Sequence, residues 1–404
     1  MLLLLTLLLL CNNRIRDVEG STIHQNSSLV DLHALLDFKH GITNDPRGAL
    51  SSWSNNTHFC RWRGVNCTTT RPFRVSRLVL TGLDLVGQIT SSLGNMTLLR
   101  SLDLEWNNFV GLSLAELKEL ILGSNKLSGK FPHAILNLSA SLQYLGLEFN
   151  MLGKALPPKI GDLLPNLKEL YLDSNTFEVN IPASLGNATG LEQIELSNNS
   201  FTGKIPTSFG KLSNLTSLNL ELNQLEVREG KDWEFLNGLR NCQSLNMLSL
   251  SSNQLQGYIP QFIGNLPPSL EALYLYGNSL MGQVPRSIRN LSALTKLALG
   301  ENDLSGTVEG WIGNLKSLRV LGLQSNSFTG PIPSSIGNLT YLEYLSISEN
   351  DFEGLIPASF CNLQQLTSLD LSDNNFQGGI TQFASLIRLE KLYLSFNNFT
   401  GGIQ

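Results

Sequence analysis

One pattern of hydrophobic and polar positions recurs along almost the whole chain, with a period of about 24 residues. Its clearest copy is LRVLGLQSNSFTGPIPSSIGNL, residues 318–339, and the shared skeleton is L-x-x-L-x-L-x-x-N-x-L-x-G-x-I-P-x-x-L-G-N-L. Alternation in L-x-L predicts a short strand with its leucines facing inward. The glycine predicts tight or left-handed backbone, and the proline predicts the end of a second short strand.

An asparagine follows the first strand in nearly every copy. These ladder asparagines are Asn107, Asn125, Asn150, Asn175, Asn199, Asn223, Asn253, Asn278, Asn302, Asn326, Asn350, Asn374 and Asn397, and a front copy carries Leu83 in that slot. An asparagine amide has donors and an acceptor, so it can satisfy backbone groups where the chain turns away from the strand. No copy can bury its leucines alone, so we predict an α/β parallel solenoid of about 14 stacked turns.

The second half of the repeat resembles the plant-specific leucine-rich repeat, whose mark is L-x-G-x-I-P. That segment is present at Gly203–Pro206, Gly257–Pro260, Gly330–Pro333 and Gly354–Pro357, whereas Thr90, Glu309 and Thr381 replace the proline in other copies. The resemblance implies a curved, superhelical stack.

Two gaps depart from the period. Asn107 and Asn125 are only 18 residues apart, which indicates a local distortion or a defect in the sequence record. Asn223 and Asn253 are 30 apart, and the added stretch with Asp232-Trp233-Glu234-Phe235-Leu236 resembles an insertion in one subfamily of plant receptor kinases, which includes immune receptors for bacterial peptides.

Residues 31–67 resemble the N-terminal cap of plant leucine-rich-repeat receptors, through helical apolar spacing in 31–39 and the pattern W-x6-C-x-W-x-G-V-x-C that starts at Trp53. The resemblance implies a Cys60–Cys67 disulfide, which suits an oxidising compartment. A metal site is disfavoured because no later Cys/His pair has ligand spacing. Cys242 and Cys361 lie about five repeats apart, too far to bridge, and we expect both to be buried free thiols.

Features of secretion support this compartment. Residues 1–20 have the apolar run of a signal peptide, and cleavage after it would remove Cys11. We assign residues 21–74 to the cap and residues 75–404 to the repeats, of which the last is incomplete. A buried core segment is the alternative for the apolar run. Sequons for N-glycosylation stand at Asn26, Asn55, Asn66, Asn95, Asn137, Asn187, Asn198, Asn214, Asn290, Asn338 and Asn398.

Neither charge nor motifs point to catalysis. The net charge of −5 is mild for 404 residues and gives no sign of a nucleic-acid partner. The sequence has no kinase, nucleotide-loop, serine-hydrolase or zinc-protease signature, so we expect no enzymatic activity, cofactor or metal. No stretch after residue 10 approaches a membrane span.

The outward positions of the first strand are the ones least constrained by the core, so the residue types found there can reflect ligand binding. We expect ligand contacts on this concave face from Glu148, Tyr171, Asp173, Glu195, Glu221, Tyr274 and Tyr276. Carboxylates there favour basic groups of an extended peptide and tyrosines supply contact area, while a merely solvated surface is the alternative.

Cap and repeats together, over about 29–404, resemble the extracellular region of a plant leucine-rich-repeat receptor-like serine/threonine kinase. The resemblance implies a cell-surface receptor that binds a peptide or microbial pattern and signals with a shorter leucine-rich-repeat co-receptor; the kinase lies outside these residues. Alternatives are a secreted inhibitor of microbial polygalacturonase, whose C-terminal cysteine pair is lacking, and a kinase-less decoy fragment. LYLSFNNFTGGIQ, 392–404, reads as an interrupted repeat, so we expect truncation, and fraying near Leu394 if the chain ends there.

Overall fold

The computed structural model describes residues 28–54, 56–110, 117–138 and 141–401. Contacts divide the chain into two units, with unit 1 ending at Gly153 and unit 2 beginning at Lys154. The expected signal segment 1–20, Cys11, Asn26 and Asn55 lie outside the described residues.

Both units repeat one path of the chain. A primary strand forms where the sequence reads L-x-L, the chain turns at the ladder asparagine, a secondary strand follows, and a short 3₁₀ helix leads back. In unit 2 the register places Leu170 beside Ile194 and Ile194 beside Leu218, and all three are fully buried. The predicted parallel solenoid of stacked leucines is therefore confirmed.

Unit 1 opens with a helix over 28–40. Its primary strands are Val65–Cys67 (antiparallel to the next), Val75–Val79, Ser101–Asp103, Glu119–Ile121 and Tyr144–Gly146; its other strands are Ile42–Asn44, Val86–Gln88, Asn108–Val110, Ser128–Lys130 and Met151–Lys154, which extends one residue into unit 2; its 3₁₀ helices are Phe59–Arg61, Ser91–Asn95 and His133–Leu138.

Unit 2 continues the same alternation. Its primary strands are Glu169–Tyr171, Gln193–Glu195, Ser217–Asn219, Met247–Ser249, Ala272–Tyr274, Lys296–Ala298, Val320–Gly322, Tyr344–Ser346, Ser368–Asp370 and Lys391–Tyr393. Its secondary strands are Thr176–Asn180, Ser200–Gly203, Gln224–Val227, Gln254–Tyr258, Ser279–Gly282, Asp303–Thr307, Ser327–Gly330, Asp351–Leu355, Asn375–Gly378 and Asn398–Phe399. Its α-helices are Ile160–Leu163 and Glu234–Leu239, and its 3₁₀ helices are Ala183–Asn187, Thr207–Lys211, Gly230–Trp233, Gln261–Asn265, Arg286–Asn290, Gly310–Asn314, Ser334–Asn338, Ala358–Asn362 and Thr381–Ser385.

The ladder asparagines bond the backbone as predicted. Asn374 Oδ1 accepts the N–H of Phe352 at 3.0 Å, and Asn374 Nδ2 donates to the carbonyls of Ile347, Leu371 and Ser372 at 2.9, 3.3 and 3.0 Å. The side chain is 7% exposed. One amide thus satisfies backbone groups of two adjoining turns that no apolar residue could satisfy.

The residue before each ladder asparagine has a feature that the sequence did not predict. Its φ is positive, which points its side chain out of the turn. These residues are Trp106, Ser124, Phe149, Ser174, Asn198, Leu222, Ser252, Gly277, Glu301, Ser325, Glu349, Asp373 and Phe396. Together with Gly82 of the front repeat, they form what we call the edge column.

The cap is held by one buried ion pair and one disulfide. Asp31 accepts two hydrogen bonds from the guanidinium of Arg74, both of 2.8 Å, and one from the N–H of Val75. The Asp31 side chain is fully buried, so this contact ties the helix to the first repeat strand. Cys60 and Cys67 form the expected disulfide, with Cα atoms 5.6 Å apart.

The insertion replaces a convex turn with the 3₁₀ helix Gly230–Trp233 and the helix Glu234–Leu239. Trp233 becomes buried, and Asp232 fixes the start by accepting the N–H groups of Arg228 and Glu229 and by pairing with Lys204 at 2.6 Å. The bond from Lys204 is the main reason why the pKa of Asp232 falls to about 2.

The prediction for the two later cysteines was half right. Cys242 is buried, and burial raises the pKa of its thiol to about 11, so the thiol stays protonated. Cys361 is exposed, against expectation. It stands in the 3₁₀ helix Ala358–Asn362 at the position where the preceding copy carries Gly337, which is buried, so the burial of this position differs between copies.

Despite the short spacing between Asn107 and Asn125, the primary strands on either side of it remain paired. Ser101–Asp103 and Glu119–Ile121 pair in parallel register, whereas among the described residues no pairing joins Asn108–Val110 to Ser128–Lys130. Residues 111–116 lie outside the described residues.

Candidate functional site

The seven predicted contact residues all lie on the outer face of the primary strands. Tyr171, Glu195 and Tyr274 end their strands, and Glu148, Asp173, Glu221 and Tyr276 follow two positions after a strand-ending residue. Glu148 belongs to unit 1 and the other six to unit 2. All seven side chains are half-buried.

Three carboxylates of unit 2 form a coupled acidic cluster, which we define as Asp173, Glu195 and Glu221. Partial burial, followed by the charges of Asp173 and Glu221, raises the pKa of Glu195 to about 7, although a hydrogen bond from Asn219 opposes this rise. Burial also raises the pKa of Asp173. Glu221 accepts a 2.7 Å hydrogen bond from Ser249. The cluster carries negative charge that a basic group could balance.

Tyr171 stands at the same end of the face. It lies beside Glu195 in the strand register, and its hydroxyl donates to Gln193 Oε1 at 2.6 Å. The ring is therefore held by its neighbours and presents a fixed surface beside the acidic cluster.

Glu148 is positioned by glycines of unit 1. A Cβ built on Gly123 would stand 2.2 Å from Glu148 Oε1, and one on Gly146 would stand 3.0 Å from Oε2. The carboxylate therefore occupies the space left by the missing side chains of Gly123 and Gly146, so a larger residue at either position would displace it.

Tyr276 belongs to a second group, the tyrosine–glutamate cluster of Tyr276, Glu301, Glu349 and Tyr344. A hydrogen bond to Glu301 is the main cause that raises the pKa of Tyr276 to about 12; burial and the charges of Glu301 and Glu349 add to it. Glu349 also accepts a 2.8 Å bond from Ser325. Tyr274 lies on the strand that leads to this cluster.

The sequence reasoning missed Glu301, Glu349 and Tyr344. It considered only the positions after each inward leucine, while both glutamates belong to the edge column and Tyr344 begins its strand. The position immediately before each ladder asparagine is the signal that could have found the glutamates.

The sequons that the structure describes carry exposed asparagines. They are Asn66, Asn95, Asn187, Asn198, Asn214, Asn290, Asn338 and Asn398. Asn95, Asn187, Asn290 and Asn338 end 3₁₀ helices, on the side of the turn away from the primary strands. Asn198 lies in the edge column and donates to Ser174 Oγ at 3.2 Å. The side chain of Asn137 lies outside the described residues. Glycosylation of these residues stays a prediction.

Within the described ranges, His, Cys, Asp and Glu side chains form no group of three that could hold a metal ion. Over the same ranges, the structure has no helix with the length and apolar character needed to cross a membrane.

Family comparisons agree with this architecture. A sequence model of the leucine rich repeat N-terminal domain matches residues 28–68, a leucine-rich repeat region matches 84–306, and a leucine rich repeat matches 316–376. The chain belongs to the leucine-rich-repeat family. All three matches are repeat or cap regions.

Curated relatives are plant receptor kinases, and the chain is homologous to their leucine-rich-repeat regions. It is 43% identical over 84 residues to the LRR receptor-like serine/threonine-protein kinase EFR of Arabidopsis thaliana, covering 20% of this chain and 8% of that protein. It is 33% identical over 141 residues to the Arabidopsis kinase GSO2, covering 34% of this chain and 10% of that protein. The matches therefore span a small part of these relatives.

Solved structures extend the likeness to most of the chain. The structure titled PEPR1-AtPEP1 has a TM-score of 0.75 and 32% identity, covering 91% of this chain and 55% of that one. A TDR receptor structure has a TM-score of 0.74 and 30% identity, covering 80% and 56%. Both neighbours share the repeat fold with this leucine-rich-repeat chain.

Proposed function

We propose that this leucine-rich-repeat chain is the ligand-binding extracellular region of a plant cell-surface receptor kinase, and that it binds a basic peptide along the outer face of the primary strands in unit 2. The observation that carries this is the convergence of Asp173, Glu195 and Glu221, which share enough burial and charge to shift the pKa of Glu195 to about 7.

The two clusters would contact different groups of the peptide. The acidic cluster favours Lys or Arg side chains of the peptide, because each ion pair there forms in a partly desolvated setting. Tyr276 and Tyr344 add aromatic surface, and the carboxylates of Glu301 and Glu349 supply further acceptors. The similar structures of PEPR1-AtPEP1 and of a TDR receptor support a receptor of this type.

Charge reversal tests the mapping. Asp173→Lys combined with Glu221→Lys should lower affinity at least tenfold for the peptide that binds best in a panel of basic peptides, measured by surface plasmon resonance on secreted protein. Glu353→Lys is the matched control, because Glu353 is exposed on a secondary strand. Equal affinities of the double variant and the control variant would contradict the mapping.

Signalling through a shorter leucine-rich-repeat co-receptor belongs to the same proposal. The peptide would complete a shared surface, so the co-receptor ectodomain should co-elute with this chain in size-exclusion chromatography only when peptide is present. Co-elution without peptide, or none with peptide bound, would count against this arrangement.

A further inference from the structure

A pocket lies at the edge of unit 1. Its lining includes Arg47, Gly82, Asp84, Trp106 and Ser124. Gly82, Trp106 and Ser124 are consecutive members of the edge column, since the N–H of Gly82 bonds Glu105 O and the N–H of Trp106 bonds Gly123 O.

Trp106 forms one wall of the pocket and is the exposed tryptophan of this chain. Its side chain is 62% exposed, whereas the other four tryptophans, Trp53, Trp62, Trp233 and Trp311, are at most 4% exposed. Its φ of 53° is unusual for a bulky residue, and the adjacent turns place glycine and serine in the same slot. A large apolar ring is thus held in solvent at a left-handed backbone position.

The indole has a polar partner and open space nearby. The Trp106 side chain donates a hydrogen bond to Glu105. A Cβ built on the neighbouring Gly82 would meet no atom within 4 Å. The pocket is therefore open at Gly82, where no side chain fills it.

An ion pair forms another part of the lining. Arg47 and Asp84 are 2.6 Å apart, with side chains 57% and 54% exposed. The two opposite charges compensate each other at this distance, so the pair adds no net charge that would draw an anionic or a cationic ligand. Both groups can still bond hydroxyls, because a guanidinium has five N–H donors and a carboxylate about four acceptor sites.

A second exposed aromatic ring lies two turns further along the edge column. Ser124 N–H bonds Glu148 O, which places Phe149 in the turn after Ser124. Phe149 is 58% exposed and has a φ of 51°. At about 4.8 Å per stacked strand, Trp106 and Phe149 are separated by roughly 10 Å.

We propose that this edge of unit 1 binds a neutral oligosaccharide. One sugar ring would stack its C–H face on Trp106 while its hydroxyls bond Arg47 and Asp84, and a sugar further along the chain would contact Phe149. An aromatic wall with few, fixed polar groups is what a small-molecule site requires. This proposal does not rest on peptide binding on unit 2.

Tryptophan emission reports on this site, because the exposed indole is confined to Trp106. The probes are cellohexaose, chitohexaose and, as the charged counterpart, hexagalacturonate. At least one neutral hexamer should give a saturable blue shift of the emission of the full chain, with hexagalacturonate at least tenfold weaker. The absence of any shift with the neutral hexamers, or equal binding of hexagalacturonate, would overturn the proposal.

Calorimetry extends the test to variants that lack the reporter. Trp106→Ser, which installs the residue of the next turn, should lower the affinity of the neutral hexamer at least tenfold, as should Arg47→Ala combined with Asp84→Ala. Leu222→Ser is the matched control, because Leu222 is a 50% exposed apolar residue of the edge column in unit 2. Full affinity in Trp106→Ser would also overturn the proposal.

Discussion

Asp31 shows how much one carboxylate can determine at the residue scale. Its side chain is fully buried, and its two oxygens accept both guanidinium bonds from Arg74 and the N–H of Val75. A buried charge is tolerated only when its partners are complete. The contact therefore makes the cap helix depend on the first repeat strand.

We predict that Asp31→Asn lowers the free energy of unfolding of the cap by about 3–5 kcal/mol, because Arg74 would stay buried without a counter-charge. Amide exchange of the helix over 28–40 measures the effect. Asp84→Asn is the matched control: its ion pair with Arg47 is more than half exposed, so the loss should be at most about 1 kcal/mol. Equal losses in both variants would contradict this account.

Glu195 gives a pH-dependent prediction. Its folded pKa of about 7 exceeds the ordinary 4.5, so with rising pH the unfolded chain ionises first and stability falls between those two values. Glu195→Gln removes this loss, and should raise the free energy of unfolding by about 1–2 kcal/mol at pH 8 and by nearly nothing at pH 4. Urea unfolding at both pH values measures it, with Glu353→Gln as an exposed control; the same gain at both pH values would show that charge is not the cause.

At the element scale, the inserted helix depends on close backbone contact. A Cβ built on Gly210 would stand 2.7 Å from Gly238 Cα, so the 3₁₀ helix Thr207–Lys211 and the helix Glu234–Leu239 approach each other without side chains between them. The paired glycines are why a stretch longer than the usual repeat still packs against the preceding turn.

We predict that Gly210→Ala destabilises the insertion by about 1–3 kcal/mol, because the methyl group forces the two helices apart. Gly230→Ala is the matched control, since a Cβ there would meet nothing within 4 Å. Limited proteolysis near Glu229 follows the displacement: faster cleavage is expected for Gly210→Ala alone, and equal rates in the two variants would refute the packing argument.

At the scale of the whole molecule, each turn of the solenoid contacts its neighbours, so stability should respond locally. Asn374→Ala leaves the Phe352 N–H and three carbonyls without the amide, which should cost about 1–3 kcal/mol for each buried group left unsatisfied.

Hydrogen exchange can show how far that loss spreads. Protection should fall in the turns over 345–376 and stay unchanged over 170–225, while the exposed neighbour variant Asn375→Ala should change little. Loss of protection in both regions would mean that unit 2 unfolds as one cooperative block instead.

Sequence reasoning predicted the residues that the core constrains. Leu170 and Asn374 could be placed because burial and backbone bonding leave few substitutes at their positions. Trp106, Phe149 and Glu301 could not, since their slot is fixed by backbone geometry while the side chain is left to the solvent. The exposure of Cys361 was missed because the repeat pattern does not fix the burial of its position: the equivalent Gly337 of the preceding copy is buried.

The edge column has a consequence for ligand length. Within one unit its side chains are spaced by whole turns of about 4.8 Å. The aromatic residues of the column are therefore separated by whole multiples of this distance. Trp106 and Phe149 set an interval of two turns. The double variant Ser124→Phe, Phe149→Ser would place the second aromatic ring one turn from Trp106 instead of two, and it would leave the leucine core unchanged. The preferred ligand should be correspondingly shorter.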